Sequence, residues 1–109
     1  MYYKLVDKKP IECTFEQWCR FFEYEDNRRI ALNEFNDWFV STVFLGLSMY
    51  NPPLLFETMV GCNNPGDILG CSFADYQQRY ETYNEAVEGH DATVKQLKAI
   101  GAGYEKVNK

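Results

Sequence analysis

The stretch WFVSTVFLGL, residues 38–47, constrains the fold more than any other part of the chain. It is rich in β-branched and aromatic residues, which favour a packed, pleated surface. It is also apolar at odd and even positions alike. Successive side chains of a strand point to opposite faces. The pattern is therefore that of a central strand covered on both sides. Such a strand needs neighbours, and the rest of the chain must supply them.

Candidate neighbours lie on either side in sequence. Before it, the run 29–35 alternates Ile30 and Leu32 against Ala31 and Asn33, and Asn36-Asp37 makes a two-residue turn. After it, SMYNPP (48–53) reads as a loop closed by two prolines, and LLFETMVG (54–61) as a further strand. Residues 62–72, CNNPGDILGCS, form a longer loop around Asn64-Pro65-Gly66. FADYQQRY (73–80) is a plausible edge strand, with Tyr76, Gln78 and Tyr80 on one face. At the N-terminus, MYYKLVDKKPIEC (1–13) reads as a short hairpin turning at Asp7-Lys8-Lys9-Pro10. Pro10 lacks an amide hydrogen and suits an edge.

Two segments have helical period instead. Thr14 and Gln17 fit a capping box. Phe15, Trp18, Cys19 and Phe22 then fall on one face, so a helix is expected over 15–24 with Cys19 as a small core residue. Thr82 and Glu85 form a second capping box, opening a helix to about residue 100. Its stripe is Tyr83, Val87, His90, Val94 and Leu97, with Gly101 as a stop and 102–109 as a frayed tail. Gly89 lies in that helix beside the small Ala86, which implies close approach to a strand or another chain. The whole is expected to be α+β: one domain over 1–101, a mainly antiparallel sheet of four to six strands, and two amphipathic helices.

Composition removes several classes of function. The chain of 109 residues has a net charge of −5. A general nucleic-acid binder needs a basic stripe to neutralise phosphates, and an anionic membrane surface makes the same demand. Neither partner is expected. The N-terminus lacks the apolar core of a signal peptide, and the apolar stretch at 39–47 is too short for a bilayer. A cytoplasmic protein is the natural reading, with thiols kept reduced. Cys13 and Cys19 are six apart, and Cys62 and Cys71 nine apart. Neither is the close pair of a zinc knuckle, so no metal and no cofactor is expected. Cys62 and Cys71 bracket a loop and could meet at its base.

Catalysis finds little support. His90 is the sole histidine, so any Ser-His or Cys-His system must use it. No G-x-S-x-G, P-loop, G-x-G-x-x-G or EF-hand pattern is present. A half-buried, hydrogen-bonded imidazole facing the sheet is the plainer reading of His90. Glu57 is the acid inside LLFETMVG. It shares a face with Leu55 and Met59, the less apolar side of that strand. Should the second helix cover that side, Glu57 needs a donor, and Arg79 and His90 are the candidates. A polar cluster of Glu57, Arg79 and His90, with Tyr80 beside it, is the expectation. Tyr50, in the SMYNPP loop, is the tyrosine expected on an interaction surface.

WFVSTVFLGL, PPLLFETMV and QRYETYNEAVEGH, in this order, resemble a family of small, mostly uncharacterised phage and prophage proteins. There, VSTVFLGL and PLLFETMV strands precede an RY-T-EA-GH strand-to-helix segment. The similarity spans roughly residues 38–94 and implies a phage or prophage origin, with host bacterial cytoplasm as the site of action. Small acidic phage proteins often bind host components. The first expectation is thus an accessory protein that binds a host macromolecule without catalysis, as an anti-defence protein would. Two others stand beside it: a ligand-binding or enzymatic domain with a pocket near Glu57, Tyr80 and His90, and a homo-oligomeric module that pairs edge strands.

Overall fold

A computed structural model describes residues 1–35, 38–62 and 77–99, with the side chain of Cys62 excepted. The expected turn at 36–37, most of the loop 62–72 with Cys71, the start of the strand at 73–76, and the tail from Gly101 lie outside the described residues. So does any pairing of Cys62 with Cys71.

The elements run β1 (Tyr2–Val6), β2 (Lys9–Cys13), α1 (Phe15–Phe22), α2 (Glu25–Arg28), β3 (Arg29–Glu34), β4 (Trp38–Phe44), β5 (Phe56–Cys62), β6 (Gln77–Tyr80) and α3 (Tyr83–Ala99). The fold is α+β. The strands form two antiparallel sheets, a hairpin β1-β2 and a four-stranded meander β3-β4-β5-β6. The hairpin turns at Asp7 and Lys8, both with positive φ (52° and 66°), which matches the right-handed strand twist. The polar break after α1 holds a further single helical turn, α2.

The hairpin is stitched to the end of β4 at Gly46, whose carbonyl accepts from the Tyr3 amide at 2.8 Å. Gly46 has φ of 69°, and a Cβ there would lie within 2.7 Å of Phe22, Trp18 and the Tyr3 carbonyl. Both conformation and space exclude other residues. Both capping boxes form. Gln17 N–H donates to Thr14 Oγ1 at 3.2 Å, and Glu85 N–H donates to Thr82 Oγ1 at 3.1 Å. Each N3 side chain returns the bond to its cap amide.

Strand β4 is central, between β3 and β5. Its residues alternate: Trp38, Val40, Thr42 and Phe44 are buried, while Phe39, Ser41 and Val43 are half-buried. In β5, Phe56, Thr58 and Val60 sit directly opposite Phe44, Thr42 and Val40. Those six side chains are all 1% exposed or less. Helix α3 lies on this side and touches all four strands of the meander. The expectation of two covered faces is corrected: among the described residues, helix α3 packs on one side of β4 only. Strand β4 is apolar on its other side for a different reason, given below.

Helix α1 differs from its sequence reading in one respect. Cys19 is exposed rather than core. The helix is rotated so that Trp18, Phe21 and Phe22 face inward, and the two phenylalanines pack on Phe44 at 5.9 and 6.0 Å between ring centroids. Phe15 and Cys19 fall on the outer flank, where Tyr2 meets Phe15 at 5.2 Å.

Candidate functional site

The sole histidine is part of the core. Its ring is 1% exposed on the inner side of α3. Nε2 lies 2.6 Å from Asn33 Oδ1 on β3, and Nδ1 lies 2.7 Å from Thr42 Oγ1 on β4. Thr42 Oγ1 is in turn 2.6 Å from Thr58 Oγ1 on β5. The carbonyl oxygen of Asn33 accepts only, so Nε2 carries the proton. With the ring neutral, the Thr42 hydroxyl donates to Nδ1 and accepts from Thr58. This ladder joins three strands to the helix. It satisfies polar atoms that would otherwise each cost about 1–3 kcal/mol when buried. Threonines at alternate positions of two apolar strands, and an asparagine within a third, were the sequence signal for it.

Glu57 belongs to the other side. A strand alternates, so Phe56 and Thr58 facing α3 send Glu57 away from it. Register places Glu57 directly opposite Arg79 on β6. The Arg79 Nε–H donates to Glu57 Oε2 at 3.0 Å. The carboxylate side chain is 9% exposed and the guanidinium side chain 41%. The expected cluster of Glu57, Arg79 and His90 therefore splits: the ion pair forms, and His90 sits on the opposite face. Tyr80 goes with His90. It pairs opposite Phe56, and its ring lies across Gly89 of α3, where a Cβ would come within 2.1 Å of the Tyr80 hydroxyl. That is the close approach the glycine implied. A single pocket near Glu57, Tyr80 and His90 is excluded by the same alternation.

Tyr50 joins the ion pair instead. Ser48 Oγ accepts from the amides of Tyr50 and Leu54, each at 3.1 Å, which braces the loop. The Arg79 guanidinium then stands over the Tyr50 ring, 5.8 Å from its centroid. Tyr50 remains 57% exposed and neighbouring Met49 is 99% exposed. The sequence reading placed Tyr50 at the surface, and it is there.

The face that carries Glu57 also carries Leu32, Phe39, Ser41, Val43 and Met59. Met59 is 37% exposed and the others are half-buried. Phe39 lies over Gly61, its cross-strand partner, with its ring where a Cβ would be. Large side chains here shield the backbone of the sheet without being enclosed, which explains the apolar second face of β4. At the α2 end of this face lies a cleft of about 220 Å³ lined by Phe22, Arg28, Arg29, Leu32, Ser41 and Val43, among others. Arg29 is paired with Glu25 at 2.6 Å. Arg28 stands over the Phe22 ring at 5.7 Å, and its Nε is buried with no acceptor. The only other such atom among the described residues is Trp18 Nε1. Arg28 lies at the polar break after the first helix, where the sequence shows nothing but charge.

Among the described residues, no group of three histidine, cysteine or acidic side chains stands close enough to hold a metal ion. None of the described helices is long and apolar enough to cross a membrane. In comparisons with known proteins, no family model matches the chain, and neither curated sequences nor solved structures show significant similarity to it.

Proposed function

We propose that this protein is a non-catalytic binding module that docks a host protein through the face of the meander opposite α3. The observation that carries this reading is the unequal use of the two faces. One face is closed by α3, and its histidine is fully occupied in the core. The other leaves Met59 and Tyr50 exposed beside half-buried Phe39 and Val43, around the Glu57–Arg79 pair. Tyrosine, methionine and an arginine bordering an apolar patch are residue types enriched at protein interfaces. The net charge of −5 favours a basic partner and speeds its encounter. The resemblance of residues 38–94 to phage proteins makes a bacterial host protein the target, met in the host cytoplasm, and inhibition of a defence system the consequence.

The test is capture of host-lysate proteins on the immobilised chain, repeated with Met59→Glu and Tyr50→Ala. One stoichiometric partner, lost with Met59→Glu and weakened with Tyr50→Ala, supports the reading. Capture unaffected by either change, or no specific capture, contradicts it. So does a mass in solution that rises with concentration and falls back with Met59→Glu, because the face would then serve a second copy of the chain.

A further inference from the structure

We propose that the cleft between α2 and the β3-β4 edge of the meander is a binding site for a small carboxylate with a compact apolar body. The proposal does not depend on the docking of a host protein. It rests on three features of the cleft.

The first is charge. Among the described residues, Glu25 is the only acid in its lining, and Arg29 pairs with it at 2.6 Å. Arg28 forms no ion pair among the described residues. Among the described residues, Arg28 is thus a positive charge without an ion-pair partner at the cleft wall, in a chain whose net charge is −5. The second is hydrogen-bonding demand. The guanidinium of Arg28 is steadied by the Phe22 ring beneath it; its Nε is shielded from solvent without an acceptor, so a ligand in the cleft is met by the two terminal nitrogens. A planar guanidinium offers parallel N–H donors that match the two oxygens of one carboxylate. A guanidinium matches phosphate equally well, so the choice of an organic acid over a bare anion falls to the wall of the cleft. The third is the wall. Phe22, Leu32 and Val43 give an apolar lining directly beside the charge. This pairs with an amphipathic ligand and not with a bare ion.

Size narrows the ligand further. The cleft of about 220 Å³ is below the range of roughly 300–1,000 Å³ typical of drug-sized ligands. An acylated amino acid or a short branched or aromatic acid is the right scale. The carboxylate lies against Arg28, and the apolar body lies on Leu32 and Val43. The same chemistry is offered by a free acid and by the C-terminal residue of a peptide.

The experiment is an amide-resolved NMR titration of the full chain with N-acetyl-L-leucine. N-acetyl-L-leucinamide and inorganic phosphate serve as controls. Shifts are expected to concentrate on residues 28–32 and 41–45, with a Kd on the order of 1 mM for a ligand this small. The neutral amide is expected to bind at least about tenfold more weakly for the loss of one charge-assisted contact, and phosphate at least about tenfold more weakly because it has no apolar body to lie on Leu32 and Val43. Arg28→Gln is expected to lose the same factor, and Ser41→Phe, which fills the cleft from β4, to abolish the shifts. A tripeptide ending in leucine separates the two sources: tighter binding than the free acid points to a peptide terminus, equal binding to a free acid. Equal affinity for acid and amide in the wild-type chain overturns the proposal, and that comparison needs no variant to fold. So do equal affinity for phosphate, or shifts unchanged in a folded Arg28→Gln.

Discussion

The two faces of the four-stranded sheet come from the same strands yet have opposite fates. On one, Val40, Thr42, Phe44, Phe56, Thr58 and Val60 are closed off beneath α3 and the aromatic side chains of α1. On the other, Phe39, Ser41, Val43 and Met59 keep partial contact with solvent. Hydrophobicity alone does not separate them, since both carry large apolar residues. Polar groups do. The closed face holds hydroxyls and an imidazole that satisfy one another in a ladder. The open face holds a carboxylate and a guanidinium, which need water or a partner nearby. The threonines and the histidine that bond to one another mark the inside here, and the charged pair marks the other side.

The comparison can be broken most forcefully in the core. Phe44→Ala is expected to cost about 3–5 kcal/mol in urea unfolding, whereas Phe39→Ala on the open face should cost less than about 2 kcal/mol. Equal losses would mean that the faces are equivalent. Next comes the ladder. Thr42→Val removes the hydroxyl that bridges Thr58 Oγ1 and His90 Nδ1, for an expected loss of about 2–3 kcal/mol. Adding His90→Leu should recover part of that loss, because the two positions share one interaction. On the open face, Arg79→Ala should cost about 1–2 kcal/mol, since the nearly buried Glu57 loses its donor while some solvent remains. Smallest of all, Met59→Glu should change stability by no more than about 0.5 kcal/mol while abolishing partner capture. A large destabilisation there would show that the face is core after all.

Much of this was legible in the sequence, and the failures share one cause. The antiparallel α+β class, the two capped helices, the tight contact at Gly89 and the exposure of Tyr50 follow from local rules of period, capping and turn chemistry, whereas the order of the strands does not. The face of Glu57 was legible too, because alternation alone puts it with Met59. What alternation cannot say is which face a distant helix will cover. The expected Glu57–Arg79–His90 cluster needed α3 on the charged side, and α3 took the side with more fully apolar area, where Val40, Phe44, Phe56 and Val60 gain about 1.5–3 kcal/mol each by burial. Cys19 failed in the same way. Its helix has aromatic residues on adjacent flanks, and tertiary packing on Phe44 chose the flank of Phe21 over that of Phe15. The cleft at Arg28 was invisible because it joins a one-turn helix to strand positions that only the folded sheet brings near.

A single histidine makes the arrangement of the closed face open to direct observation. Long-range ¹H–¹⁵N NMR of the imidazole should show one species, protonated at Nε2, with that proton slow to exchange with solvent. The Nδ1 resonance should be that of an unprotonated nitrogen accepting a hydrogen bond, and Thr42→Val should move it. A ring in rapid exchange between tautomers, or an Nε2 proton lost at once to water, would place His90 outside the sheet and contradict the assignment of α3 to that face.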